Sequence, residues 1–193
     1  MESATGACVR YEVDPKASQF TVQAFANGLI SAVAHSPKIA IRDWKGVVEF
    51  VPGTLRDAKL KVNVNATSLN VLDEMRDDDR REIHRVMNQE VLETARFPEI
   101  TFRSTNIIAD KQNETLFRTR IEGDLSLHGV TNGLGFNAQV AFGLDTFRAH
   151  GDFILLQTDY DIRVASIAGG TLKLRDELKF TFYVVARKQD SAG

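Results

Sequence analysis

Apolar and polar residues alternate one for one along most of this chain, the period of a strand with one face buried. From Ser18 to Phe25, Phe20, Val22 and Ala24 alternate with Gln19, Thr21 and Gln23. Lys38 to Phe50 begins with Ile39 and Ile41, changes phase around Asp43-Trp44 and resumes with Val48 and Phe50, which predicts one long strand with a bulge or bend. Pro52-Gly53 marks a turn, and Lys59 to Ala66 then sets Leu60, Val62, Val64 and Ala66 on one face. The same period returns in five later segments. Glu99–Ile108 carries Ile100 and Phe102, and Glu114–Leu127 carries Phe117, Thr119, Ile121, Gly123, Leu125 and Leu127. After a turn at His128-Gly129, Asn132–Gly143 carries Leu134, Phe136, Ala138, Val140 and Phe142. Phe147–Thr158 carries Phe147, Ala149, Gly151, Phe153 and Leu155. Asp159–Asp176 reads as irregular, and Glu177–Arg187 closes the series with Leu178, Phe180, Phe182, Val184 and Ala186.

The period changes once. Ile83, Val86, Met87 and Val91 recur at helical spacing, so the pattern predicts one helix over 78–94. Asp79 with Glu82 has capping-box spacing, the acids of the first turn suit the helix dipole, and Pro98 prevents continuation. Its charges, from Arg76 through Arg85, read as a solvated face. The sum is eight antiparallel strands with a helix between the third and fourth. Strands of 10 to 14 residues, roughly 33–47 Å long, suit a closed all-β barrel of lipocalin-like form, with a sandwich as the alternative.

Composition sharpens this picture. A chain of 193 residues is one domain, placed at 10–188, with a net charge of −2 that argues against a general grip on nucleic acid or anionic lipid. The lone Cys8 excludes an internal disulfide. The N-terminus has an early acid and no apolar run, so the expectation is a cytoplasmic protein without a secretory signal. The longest apolar stretch, Gly28 to Ala34, is too short to span a bilayer. Phe occurs 12 times against 3 Tyr and 1 Trp, so the chain supplies apolar area with little aromatic hydrogen bonding. The residues expected to face inward, and to meet any ligand, are Phe20, Val22, Ile41, Val48, Phe50, Leu60, Val62, Val64, Phe102, Phe136, Ala138, Val140, Phe153, Phe180 and Phe182. Such a barrel either packs solid or leaves an apolar channel suited to a chain-like lipid, and the pattern alone leaves both open.

Five segments in order carry a family resemblance. They are Tyr11-Glu12-Val13-Asp14 with Ser18-Gln19-Phe20-Thr21-Val22, Lys45-Gly46-Val47-Val48-Glu49-Phe50, Ala66-Thr67-Ser68-Leu69, Ala95-Arg96-Phe97-Pro98-Glu99-Ile100-Thr101-Phe102 and Gly123-Asp124-Leu125-Ser126-Leu127-His128-Gly129-Val130-Thr131. Over about 11–187 the chain resembles the YceI-like family of lipid-binding proteins. The resemblance implies an eight-stranded barrel with an associated helix. It also implies a polyisoprenoid or similar long amphiphile in the interior, and a homodimer. The charged helix Asp77 to Glu93 departs from the Arg-Asp-x-x-Leu pattern of the secreted branch.

No catalytic constellation, cofactor fingerprint or metal-ligand spacing is present in the sequence. Of the four histidines, His128 reads as a turn residue, His150 as exposed, and His35 as a loop residue that could meet a head group at a barrel mouth. Arg118 and Arg120, alternating with Glu122 and Asp124, read as cross-strand ion pairs. The leading reading is a lipid-binding protein with no enzymatic activity. The alternatives are an enzyme acting on an amphiphile at the mouth and a solid-cored interaction module.

Overall fold

The computed structural model describes residues 8–26, 37–52, 55–164, 166–167 and 172–189. His35 and the apolar stretch 28–34 lie outside the described residues. The strands are β1 (Val9–Val13), β2 (Gln19–Ala26), β3 (Lys38–Ile41), β4 (Trp44–Val51), β5 (Arg56–Asn65), β6 (Leu69–Val71), β7 (Glu99–Lys111), β8 (Leu116–Leu127), β9 (Val130–Phe142), β10 (Thr146–Leu156), β11 (Ser166–Ile167) and β12 (Leu172–Lys188). One helix, α1 (Asp77–Val86), runs on into a π turn over Met87–Val91.

All pairings are antiparallel, and the ring closes where β1 pairs β12. Eight strand positions make the barrel, because three of them are each divided in two: β1 with β2 along β12, β3 with β4, and β5 with β6. The expected fold class therefore holds, with a helix inserted after the third position. The single long strand read over Lys38–Phe50 is a correction: β3 pairs β2 and β6, whereas β4 pairs β1 and β5. Its phase change is a break. At Arg42-Asp43 the two amides turn to Ser68, to its carbonyl at 3.3 Å and its hydroxyl at 3.0 Å, instead of a ladder. The neighbouring position breaks opposite this point, at a 3-10 turn over Ala66–Ser68, and Asn65 N–H donates to Asp43 O at 2.9 Å. Between β1 and β2 the Ser18 hydroxyl donates to Asp14 O at 2.7 Å and accepts from Val185 N–H at 2.9 Å, holding the gap against β12.

The predicted capping box does not form. The helix starts one residue earlier, with Arg76 at the N-cap and no side-chain cap bond. It ends before 94 because the backbone turns left-handed at Glu93, with φ 44°. The last strand begins at Leu172, not Glu177, so the segment read as irregular contains a 3-10 turn (Gln157–Tyr160), β11 and the start of β12. β1 and β6 are further strands that the alternation does not reveal.

Three neighbouring breaks make one part of the wall thinner. β6 pairs β3 on one edge, and no ladder joins β6 to β7 among the described residues. The helix lies there. The Arg80 guanidinium donates to Val71 O at 2.8 Å and Asp73 O at 3.0 Å, and His84 Nε2 meets Asn70 Oδ1 at 3.1 Å. The barrel end formed by the start of β1, the end of β4 and the β9–β10 turn is closed by Tyr11, Phe50, Phe117, Phe142 and Phe147. Tyr11 stacks on Phe50 at 5.3 Å, and Phe142 meets Phe50, Phe117 and Phe147 within 5.2–5.9 Å. The opposite end carries the helix and the 3-10 turn after β10.

A candidate lipid cavity inside the barrel

The interior is open. A cavity of about 290 Å³ runs between the strands. Phe20, Leu60, Val62, Phe153, Phe180 and Phe182 line it and remain only partly buried although they point inward. Inward apolar side chains with exposed surface mean that the strand walls do not fill the space between them, so the interior is not solid-cored.

All the residues expected to meet a ligand line this cavity: Phe20, Val22, Ile41, Val48, Phe50, Leu60, Val62, Val64, Phe102, Phe136, Ala138, Val140, Phe153, Phe180 and Phe182. Strand alternation delivers them, because every second residue of each strand faces in. Their rings form a connected belt. Trp44 meets Phe20 edge-on at 5.6 Å, Phe20 meets Phe180 at 6.1 Å, and Phe180 lies parallel to Phe153 at 4.8 Å. The belt continues from Phe153 to Phe136 at 5.1 Å and from Phe136 to Phe102 at 5.6 Å. Gly123 on β8 makes room for it, since a Cβ there would lie 2.6 Å from the Phe102 ring and 2.3 Å from Arg103 O.

The sequence reading missed two parts of the wall. Ile83, Val86, Met87, Val91 and Leu92 line the cavity, so the helix and its π turn are wall and not appendage. The signal was the helical apolar stripe, which needed a surface to face. The other part consists of residues from short or broken segments, among them Val13, Trp44, Leu55, Leu69 and Ile162. Thr119 and Gln157 are polar side chains of the lining, and both are nearly buried, at 4% and 3% exposure. No ionisable side chain lines the cavity among the described residues.

Around the helix end the polar groups are tied to one another. His128 is more than a turn residue: its Nε2 lies 2.9 Å from Glu93 Oε2 and its Nδ1 lies 3.2 Å from Tyr160 O, while its ring packs on Phe97 at 4.7 Å. The Arg96 guanidinium, and to a lesser degree His128, hold the Glu93 carboxyl below the usual range against some desolvation. His150 is exposed, as expected. The expected cross-strand ion pairs of β8 are absent among the described residues: Arg120 pairs instead with Glu122 of its own strand, at 3.7 Å, and lies over Gly135 of β9. No group of His, Cys, Asp and Glu able to hold a metal occurs among the described residues, and no helix there is long and apolar enough to cross a membrane.

A closed antiparallel barrel around an apolar cavity, with one helix in its wall, defines a lipocalin-like architecture. The chain belongs to the YceI-like domain family, whose model matches residues 11–186. Among solved structures it is similar to Burkholderia cenocepacia BcnA, at 16% identity and a TM-score of 0.70, over 90% of this chain and 98% of that one. It is also similar to a Saccharophagus degradans domain described as a polyisoprenoid binding domain implicated in plant cell wall breakdown, at 13% identity and a TM-score of 0.68, over 94% and 99% of the two chains. A Campylobacter jejuni YceI protein matches at 15% identity and a TM-score of 0.63, over 81% and 88%. Among curated protein sequences none matches the chain.

Proposed function

We propose that this protein binds the chain of a long amphiphile, a polyisoprenoid or similar lipid, inside its barrel for storage or transport. The observation that carries the proposal is the cavity itself: open, elongated along the strands and lined almost wholly by apolar side chains, with no charge among the described residues of the lining. Each methylene moved from water onto that wall contributes roughly 0.8 kcal/mol before ordering costs. A linear chain can therefore be held without any polar anchor. The fifteen residues named above are the proposed contacts, joined by the helix face Ile83, Val86, Met87 and Val91. The name of the Saccharophagus neighbour and the family resemblance support an isoprenoid, and the resemblance supports a homodimer of one-domain chains spanning 10–188. An exposed, unpaired Cys8 fits the cytoplasm.

The test is direct. Protein purified in native form is analysed by native mass spectrometry and by organic extraction, and the same protein is titrated with long-chain prenols and fatty acids. A co-purifying or titratable chain is expected. A protein that takes up neither prenol nor acyl chain refutes the proposal. Phe136→Glu and Phe182→Glu, each placing a carboxylate in the cavity, are expected to abolish uptake while circular dichroism keeps the barrel signature.

A further inference from the structure

The cavity is not chemically uniform along its length, and among its described lining residues the closed end carries one polar side chain, Thr119. Thr119 projects from β8 next to the aromatic plug: Phe117, two residues before it, is part of that plug, and its cross-strand partner is Ala138. The Thr119 hydroxyl donates its single proton to Ala138 O at 3.0 Å. A hydroxyl has one proton and two lone pairs, so what Thr119 can still offer a ligand is an acceptor. Gln157 lines the opposite end, and it too has committed its amide protons to the wall, to Arg175 O at 3.0 Å and Asp176 O at 3.2 Å. The Trp44 indole, a donor, is remote from Thr119. It pairs through Val64 with Ile100, nine residues along β7 from Ala109, the strand neighbour of Thr119.

We infer that Thr119 Oγ1 selects what the buried tip of the ligand carries: a plain hydrocarbon or a hydroxyl group, and not a carboxylate, a phosphate or another group that only accepts. The inference rests on the proposed chain-binding function and assigns the chemistry of its deep end. A hydroxyl reaching this level gives its proton to Thr119 and is satisfied. An anion reaching it meets an acceptor and apolar rings, with no free donor among the described lining residues, since Tyr11 of the plug is not part of the lining, and a buried charge without a partner is strongly unfavourable. Anionic heads are therefore kept away from the closed end, towards the helix end of the barrel.

The experiment uses three probes that share a head and a length and differ only at the tip: hexadecanoic acid, ω-hydroxyhexadecanoic acid and hexadecanedioic acid. Each is titrated into the full chain and into the Thr119→Val variant, which keeps the shape of the side chain and removes its oxygen. In the unmodified protein the diacid is expected to bind at least about tenfold more weakly than the other two. Thr119→Val is expected to weaken the ω-hydroxy acid about five- to tenfold relative to its effect on hexadecanoic acid. Equal effects of Thr119→Val on these two acids, or a diacid that binds as well as the ω-hydroxy acid, overturn the inference while chain binding stands. Failure of all three probes to bind overturns the inference, and the chain-binding function falls with it only when long-chain prenols also fail to bind.

Discussion

Individual residues set both the tolerance of the wall and its response to acid. Gly123 is inward, on a strand whose neighbours are all larger, and an added methyl would meet the Arg103 carbonyl and the Phe102 ring at distances no relaxed contact reaches. Gly123→Ala is expected to cost about 1–3 kcal/mol and to misplace Phe102 in the belt, read as a lower urea midpoint with an unchanged slope. Gly129 has a different reason, a φ of 79° in the β8–β9 turn, which L residues adopt at a cost. Asp176 shows how carboxylates couple the fold to pH. Its carboxylate accepts from the Thr158 hydroxyl at 2.5 Å and the Thr158 amide at 2.9 Å, and these bonds hold its pKa below the usual range against desolvation. Asp14 is lowered in the same direction, first by the Arg187 guanidinium and also by the amides of Lys16 and Ala17, against a desolvation contribution that raises it. Groups depressed in the folded state add stability that is complete above their unfolded pKa, near pH ~4, and is lost as pH falls through the folded value. Denaturation midpoints should therefore fall steadily below about pH 4. Asp176→Asn should lower the midpoint at neutral pH and flatten that acid limb, and an acid limb as steep as that of the unmodified protein would contradict the assignment.

At the scale of elements, long alternation was legible and short or interrupted pieces were not. β8 reads from its sequence because twelve residues alternate without a slip, and all of its inward positions, Phe117 to Leu127, face the interior. β6 has three residues, too few for any period, and exists because β3 offers it an edge. β1 is five residues long and is fixed by partners in β4 and at the far end of the chain in β12. The break at Arg42-Asp43 left a trace in the phase change, but whether a slip bends a strand or divides it depends on Ser68, which supplies the replacement hydrogen bonds from elsewhere. The helix was legible as an amphipathic segment, and its role in the wall was not, since nothing local says what its apolar face meets. None of its residues is buried, and Arg80 is its main tie to the β6 edge. Arg80→Met is expected to speed amide hydrogen exchange across 77–91 by about tenfold or more while exchange in β8 and β9 stays as before. Uniform acceleration through the barrel would show instead that helix and strands open together.

For the whole molecule, the distribution of charge separates stability from binding. Its ion pairs lie outside the cavity, as Arg10–Glu49, Arg85–Glu82 and Lys179–Asp152 do on exposed surface, and surface pairs of this kind contribute little. Among the described residues the cavity lining has no charge. Chain affinity should therefore vary less than about twofold between low and physiological salt, because there is no ionic contact to screen. A steep salt dependence would place the amphiphile's charged head, and much of its binding energy, on an outer surface.

The unpaired edge between β6 and β7 has a mechanical consequence. A hoop of strands joined by ladders on every side has a fixed circumference, since each increment of girth must rupture a row of backbone bonds. Among the described residues one joint of the hoop has no ladder: side-chain ties from Arg80 and His84 fasten the helix to the β6 edge only, and the helix keeps its own internal bonds when it shifts. The bore is thus rigid around most of its perimeter and adjustable at one seam. On the proposed function, a thicker or branched chain is expected to be accommodated by a small outward displacement of the helix, with the strand ladders left whole.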